Sequence, residues 1–209
     1  KNSIIALFLD CSSNLTYFTG LSLYRSERLH GAIISAKGEV SYIVPEFEKA
    51  KTASMLIVKG HIFTWEEHEN AAEKVMKCLK EAKIGHGLIA IDENTPFFIL
   101  DNLRLSNENY EFINAETLTT QCRKIKSCTE ISIIQHAMLI ALEVQKCTAR
   151  ILHEGITTNE VQDFIVLAHK KLASETPPAF NIVLFGDATA YPHGVPYPQT
   201  LKQGDMVLI

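Results

Sequence analysis

The sequence has few of the features that assign a protein to a class at first sight. Its five cysteines include no Cys-x-x-Cys pair and stand at irregular spacings: Cys11, Cys78, Cys122, Cys128 and Cys147. This odd, irregular set argues against a disulfide framework or a zinc knuckle, and free thiols are typical of the reducing cytoplasm. No nucleophile elbow, P-loop, GxGxxG or HExxH motif is present either, so familiar signatures of hydrolases and nucleotide-binding proteins are missing.

Long apolar runs and an excess of basic residues are also lacking. No run approaches the roughly 20 apolar residues of a membrane-spanning helix, and the initial KNSIIALFLDCSSN has no signal-peptide cleavage pattern. The formal net charge of −4 gives no reason to expect nucleic acid, because phosphate binding favours a basic face. With 46% hydrophobic and 21% charged residues, the composition is globular rather than disordered. We predict a cytoplasmic protein with no nucleic-acid or membrane partner.

The first 121 residues predict an α/β domain, because short apolar runs alternate with helical patterns. The predicted strands are 4–9, 31–35, 40–44, 56–58, 62–63, 88–91 and 110–113. The predicted helices are a short turn at 15–18 and longer helices at 46–55, 67–82 and 96–103. Gly38 indicates a hairpin between the second and third strands. Arg123, Lys124 and Lys126 are interpreted as a basic linker, and we place the domain boundary near Gln121, giving domains 1–121 and 122–209.

Two capping boxes begin helices in the second domain, Ser127 with Glu130 and Thr157 with Glu160. The first helix is predicted to extend to about residue 153, with Gly155 as its stop signal. Its apolar stripe consists of Ile131, Ile134, Met138, Ala141 and Leu142. The second helix carries an apolar side formed by Val161, Phe164, Ile165, Ala168 and Leu172.

The last thirty residues hold the candidate site. Apolar runs at 182–185 and 206–209 predict two buried strands, and the loop between them presents His193 between Pro192 and Gly194. A neutral imidazole at that position could donate a hydrogen bond to a substrate carbonyl or transfer a proton near pH 7. The alternative is a turn histidine that only satisfies a backbone carbonyl.

Other polar candidates have simpler interpretations. Asp187 and Asp205 adjoin glycines at strand ends, where a role in a turn is commoner than a catalytic carboxylate pair. Four further histidines are predicted to lie at the surface: His30, His61, His68 and His86. The remaining three lie on the predicted helices without a metal-binding pattern: His136, His153 and His169.

Several segments together resemble the pita-bread metallopeptidases, the family of prolidases (Xaa-Pro dipeptidases), aminopeptidase P, methionine aminopeptidases and creatinase. The strongest likeness is IVLFG, then PHG with its histidine seven residues after Gly186, then LKQGDMVLI. RKIKSCTEISIIQHAM resembles the linker and first long helix of the prolidase and aminopeptidase P branch, with Cys128 in place of a common proline. SSNLTYFTG and IDENTP resemble the N-terminal creatinase-like domain of that branch, which methionine aminopeptidases lack.

This resemblance implies an α/β N-terminal domain of the creatinase/prolidase type followed by an incomplete α+β pita-bread catalytic domain. It also implies hydrolysis of the peptide bond before proline, assisted by two divalent metal ions, manganese or cobalt. His193 matches the family histidine that contacts the substrate or the tetrahedral intermediate, so it would act by electrostatic stabilisation or proton transfer.

The five metal ligands of the family, two aspartates, one histidine and two glutamates, have no counterpart in these 209 residues. We therefore expect a truncated chain that binds no metal and is inert alone, while the full-length protein is active. Two alternatives remain open: a creatinase-like amidinohydrolase that needs no metal, and a non-catalytic homologue that binds peptides or proteins.

The resemblance also implies a homodimer that acts on proline-containing peptides. The segment 22–28 could then reach the active site of a neighbouring subunit, although its residues alone favour an ordinary solvated loop.

Overall fold

The computed structural model describes residues 3–107, 109–173 and 177–209. The chain forms two compact units, Lys1–Ile125 and Lys126–Ile209. The predicted boundary residue, Gln121, lies inside a helix that spans Glu116–Lys124, and the first unit ends directly after this helix.

The first unit contains six strands and five α-helices among its described residues. The strands are β1 (Ile4–Asp10), β2 (Gly31–Ser35), β3 (Val40–Pro45), β4 (His61–Trp65), β5 (Gly87–Ile91) and β6 (Tyr110–Asn114). The helices are α1 (Ser13–Thr19), α2 (Lys49–Met55), α3 (Ala71–Glu81), α4 (Phe97–Leu105) and α5 (Glu116–Lys124).

The six strands form one mixed sheet in the order β4-β3-β2-β1-β5-β6. The hairpin predicted around Gly38 joins β2 and β3, which pair antiparallel, as do β1 and β2. The pairs β1–β5, β5–β6 and β3–β4 are parallel. The carboxyl ends of β1 and β5 therefore lie side by side, and the polar residues that follow these two strands come together.

Strand β1 shows why this part of the sequence is a continuous apolar run. Phe8 packs into a core with α3 and α4, whereas Leu7 and Leu9 pack into a second core with Leu15 of α1. Because successive side chains of a strand point to opposite faces, a strand covered on both sides needs apolar residues at every position. The α/β prediction for this unit is confirmed.

Two local predictions in the first unit are wrong. Residues 56–58 form no strand, and Ile57 and Val58 there are exposed. A run of three residues before Gly60 can form few backbone hydrogen bonds with a neighbouring strand. The predicted basic linker is partly helical, because Arg123 and Lys124 form the last turn of α5, where positive charge complements the helix dipole. The predicted helix 46–55 is confirmed, with a 3-10 turn at Glu46–Glu48 that continues as α2.

The second unit contains two long helices and a short two-stranded sheet. Its elements are α6 (Cys128–Ile151), α7 (Thr158–Leu172), β7 (Leu184–Phe185), a 3-10 segment (Gly186–Ala190) and β8 (Val207–Leu208). Both predicted capping boxes are present, since Ser127 and Thr157 each accept from the backbone N–H of a glutamate that bonds back. The core of this unit consists of Val144, Ile156, Val161, Ile165, Val183, Phe185 and Leu201.

The predicted apolar stripe of α6 is not part of that core. Ile131 and Met138 are 55% and 59% exposed, whereas Val144 is buried. The helix also ends at Ile151, earlier than predicted, and Gly155 adopts φ +93° in the turn that follows. No single helix among the described residues is long and apolar enough to cross a membrane; α5 and α6 meet that criterion only as a broken pair.

Candidate active site

Strands β7 and β8 hold the first end of the loop that carries His193. Leu184 pairs with Leu208, and Phe185 pairs with Val207. The strands are shorter than the predicted runs 182–185 and 206–209, since only two residues of each run form the ladder. Their core-facing side chains still fix the position at which the loop leaves the sheet.

Gly186 makes the turn out of β7 possible. Its φ is +56°, a conformation that glycine adopts without steric cost, and a Cβ there would lie 3.2 Å from Asp205 Oδ1. The Gly186 N–H donates to Met206 O at 2.9 Å, and Thr189 Oγ1 donates to Gly186 O at 2.8 Å. The chain therefore leaves the sheet through a hydrogen-bonded 3-10 turn.

His193 lies in a tight turn beyond that segment. The N–H of Gly194 donates to Tyr191 O at 3.0 Å, and Gly194 has φ +83°. Pro192 fixes the backbone on the other side of the histidine. The imidazole is exposed and lines a cavity of about 450 Å³, so a ligand can reach it.

The cavity beside His193 is polar but uncharged. Its other lining residues include Asn159 and Gln162 of α7, Asn181 before β7, and Tyr197 on the far side of the loop. The described lining residues contain no Asp, Glu, Lys or Arg. Amide and imidazole groups of this kind donate to and accept from peptide backbone without requiring a charged ligand.

The carboxylates near the loop have separate surroundings. Asp205 Oδ2 accepts from Lys202 N–H at 3.0 Å, which stabilises the turn before β8. Asp187 is exposed in the first turn of the 3-10 segment. Across the three described ranges, no group of three or more His, Cys, Asp or Glu is arranged to hold a metal ion.

Gln199 is a residue of this site that sequence analysis missed. Its backbone and side chain connect the end of the loop to α7 and to β7. A glutamine in the segment PYPQT follows no motif and no periodicity, so nothing in the sequence alone indicates this role.

Two family models match the chain, and together they cover both units. Residues 1–125 match the Creatinase/Prolidase N-terminal domain, and residues 132–209 match metallopeptidase family M24. The chain belongs to the creatinase/prolidase-like metallopeptidases. The predicted family and the predicted fold, an N-terminal creatinase-type domain followed by part of a pita-bread domain, are confirmed.

Known members of this family are similar to the chain over nearly all of its length. A putative dipeptidase, YkvY, from Bacillus subtilis is 30% identical over 206 residues, which are 97% of this chain and 56% of the relative. A Xaa-Pro dipeptidase from Pyrococcus horikoshii is 28% identical over 212 residues, 100% of this chain and 56% of the relative. The chain thus spans little more than half the length of these relatives.

Solved structures of the family share the fold. The crystal structure of a dipeptidase from Pyrococcus horikoshii superposes with a TM-score of 0.78 at 25% identity, covering 97% of this chain and 55% of that chain. A prolidase from Thermococcus sibiricus gives a TM-score of 0.83 at 22% identity, covering 98% and 55%.

Two motifs that resemble the N-terminal domain of the family meet in the structure. Ser12 and Asn14, from SSNLTYFTG, both donate to Asp92, from IDENTP; the bond from Asn14 Nδ2 to Asp92 Oδ1 measures 3.1 Å. Asn14 also donates to Glu93 at 3.0 Å and accepts from Arg123 at 2.7 Å. We call these five side chains the strand-end cluster. They join the ends of β1 and β5 to helices α1 and α5.

One histidine predicted to lie at the surface is buried. His30 is 7% exposed, and its Nε2 lies 3.2 Å from Thr52 Oγ1. Burial lowers the pKa of His30 to about 4, with the positive charge of Lys51 adding to the effect and Glu48 opposing it. The position between Leu29 and Gly31, where β2 begins, explains the burial.

Asp10 is a second buried titratable group, at the end of β1. Burial raises its pKa to about 6, with nearby Asp92 adding to the effect; the backbone of Cys11 and the guanidinium of Arg25 oppose it. Arg25 Nε lies 3.3 Å from Asp10 Oδ2. Arg25 belongs to the segment 22–28, whose Tyr24 is fully exposed. That this segment reaches a neighbouring subunit stays a prediction.

Proposed function

We propose that the whole protein hydrolyses the peptide bond that precedes proline, as a Xaa-Pro dipeptidase or Xaa-Pro aminopeptidase. The carrying observation is the presentation of His193 on a hydrogen-bonded loop beside an uncharged polar cavity. Membership of a peptidase family and relatives named Xaa-Pro dipeptidase support the proposal.

His193 would contact the substrate at the scissile carbonyl. A donated hydrogen bond is stronger when the carbonyl oxygen gains negative charge in the tetrahedral intermediate, so the contact favours the transition state over the bound substrate. The same imidazole could transfer a proton during departure of the amine.

The preference for proline has a chemical reason. The amide before proline is tertiary and has no N–H, so a peptidase that grips that N–H loses a contact. A site that instead accommodates the ring and acts on the carbonyl keeps its contacts. The amide-rich cavity beside His193 suits the neutral backbone of such a peptide.

We further propose that the full-length protein uses two divalent metal ions, manganese or cobalt, whose ligands lie outside these 209 residues. Such ions acidify a bound water and polarise the carbonyl. The described residues do not fit such a centre, because they contain no cluster of ligands. The 209-residue chain is accordingly expected to be inert alone. A cytoplasmic homodimer remains part of the proposal.

The proposal is tested by assaying the full-length protein on two matched peptides, one with Xaa-Pro and one with alanine in place of proline. We expect kcat/KM to be about tenfold or more higher for the proline peptide, because a shaped pocket discriminates on that scale. Dialysis against a chelator should abolish hydrolysis, and manganese or cobalt should restore it.

The same assay separates the alternatives. Hydrolysis of creatine, undiminished by the chelator, would instead support the amidinohydrolase. Binding of proline peptides without hydrolysis of either substrate class, at any metal concentration, would support a non-catalytic homologue.

A further inference from the structure

The far end of the loop that carries His193 is anchored at Gln199, and the anchor continues through Thr200 and Leu201, which pair with residues 155–157. The backbone N–H of Gln199 donates to Thr158 Oγ1 at 3.2 Å, and its carbonyl accepts from Thr158 N–H at 2.9 Å. Thr158 is the buried first residue of α7. The backbone of Gln199 therefore attaches the loop to a fifteen-residue helix.

The side chain of Gln199 makes two more hydrogen bonds, one to β7 and one within the loop. Its Oε1 accepts from the N–H of Phe185 at 3.3 Å, and its Nε2 donates to the carbonyl of Tyr197. Phe185 is 2% exposed and belongs to β7, the strand from which the loop departs. The amide thus joins the two ends of the loop to each other.

We propose that Gln199 is a positioning residue for His193, because its amide closes the loop 186–199 and thereby holds the imidazole at the cavity. This inference rests on the proposed function for the identity of the reaction, while the structural role of the amide can be measured separately. Gln199 would not touch the reacting atoms; it acts through the histidine.

The backbone bonds and the side-chain bonds of Gln199 respond differently when the residue is substituted. The backbone bonds to Thr158 survive any replacement of the side chain. The side-chain bonds do not, and leucine at this position would leave the N–H of Phe185, a residue only 2% exposed, without its acceptor. Gln199→Leu should therefore loosen the loop while leaving its attachment to α7 in place.

Hydrogen exchange of the full-length protein tests the structural part. In Gln199→Leu, the hydrogen-bonded amides of Tyr191 and Gly194 should exchange about tenfold faster or more, because their opening no longer breaks the side-chain bonds of Gln199. The matched control is Gln203→Leu, which removes an exposed glutamine from the next turn and should leave exchange unchanged. Equal protection in Gln199→Leu and wild type would overturn the proposal.

Kinetics of the full-length protein test the connection to His193. Gln199→Leu should lower kcat for the Xaa-Pro peptide about tenfold and change KM by less than about threefold. His193→Ala and the double variant should have the same kcat within about twofold, since a residue that acts through the histidine has no further effect once the histidine is gone. Multiplying losses would show an independent structural role and overturn the proposal.

Gln199→Glu keeps the test decisive if the leucine variant folds poorly. It retains an acceptor for Phe185 N–H but loses the donor to Tyr197 O, so faster exchange should be confined to the Tyr197 side of the loop. Unchanged exchange on that side would count against the bridge. If the wild-type protein cleaves no Xaa-Pro peptide, the proposed function fails, and hydrogen exchange still decides whether Gln199 holds the loop.

Discussion

His193 combines an exposed imidazole with a backbone that is fixed on both sides. The tight turn closed by Gly194 and the 3-10 segment after Gly186 restrict where the ring can lie. A side chain that is pre-positioned in this way can favour a transition state without reorganising during the reaction. The sequence indicates the turn through its proline and glycine, but not the hydrogen bonds that hold it.

Replacing His193 by alanine in the full-length protein should lower kcat for Xaa-Pro cleavage by roughly 10²–10³-fold, the usual effect of removing one donor to an oxyanion. KM should change little, because the contact strengthens in the transition state. Steady-state kinetics, with metal content measured in parallel, checks the prediction. His136→Ala, which removes an exposed histidine of α6, should have wild-type kinetics. Unchanged turnover in His193→Ala would remove the assigned role.

Asp10 and His30 give the first unit two opposite dependences on pH. The Asp10 pKa is raised from 3.8 to about 6, so its contribution to stability is present below about pH 4 and is lost as pH rises to 6. The His30 pKa is lowered from 6.5 to about 4, so its contribution is present above pH 6.5 and is lost as pH falls to 4. In the wild type the two effects partly cancel.

Single substitutions should separate these effects. Asp10→Asn leaves the histidine effect, so the free energy of unfolding should increase from pH 4 to pH 6.5, by up to about 3 kcal/mol at about 1.4 kcal/mol per pKa unit. His30→Leu leaves the aspartate effect, so the free energy should decrease over the same range. Urea unfolding followed by the fluorescence of Trp65, the single tryptophan of the chain, measures both. Parallel curves for the two variants would contradict the assignment.

At the level of elements, the strand-end cluster connects two strands and two helices of the first unit. Asp92 is 2% exposed and accepts from Ser12, Asn14 and the N–H of Asn94. Thr119 of α5 donates to Glu93 as well. A buried carboxylate with this many donors orients all of them, and its removal leaves several polar groups unpaired.

Asp92→Ala should therefore destabilise the chain by about 3 kcal/mol, since each buried donor left without a partner costs about 1–3 kcal/mol. The urea midpoint reports the loss. Glu39→Ala in the exposed turn between β2 and β3 should shift stability by less than about 0.5 kcal/mol. Comparable midpoints for the two variants would show that the cluster adds nothing to stability.

Element prediction from the sequence succeeded where a local signal decides the structure. Capping boxes located the starts of α6 and α7, and Gly38 located the hairpin, because these signals act over three or four residues. Prediction failed for α5, whose charged residues read as a linker. Its Thr119 and Arg123 bond to partners 26 and 109 residues away in sequence, respectively, which no local pattern reveals.

For the whole molecule, the family motifs predicted the fold, whereas the alternation of strands and helices predicted only the α/β class; the role of His193 stays a prediction. The order β4-β3-β2-β1-β5-β6 depends on long-range pairing, which periodicity does not specify. The cavity lining depends on residues from α7, from the chain before β7 and from the loop, which converge only after folding. The role of Gln199 likewise depends on contacts that form only after folding.

The cysteines of the chain have a practical consequence. Cys11 and Cys78 are buried, and burial raises the pKa of each thiol to about 12, so thiol-reactive dyes would find them protonated and inaccessible. Cys122 and Cys128 are exposed, and one belongs to each compact unit. These two thiols are natural attachment points for fluorescent or spin labels, one in each unit, and half-buried Cys147 is the further thiol to replace for site-specific labelling.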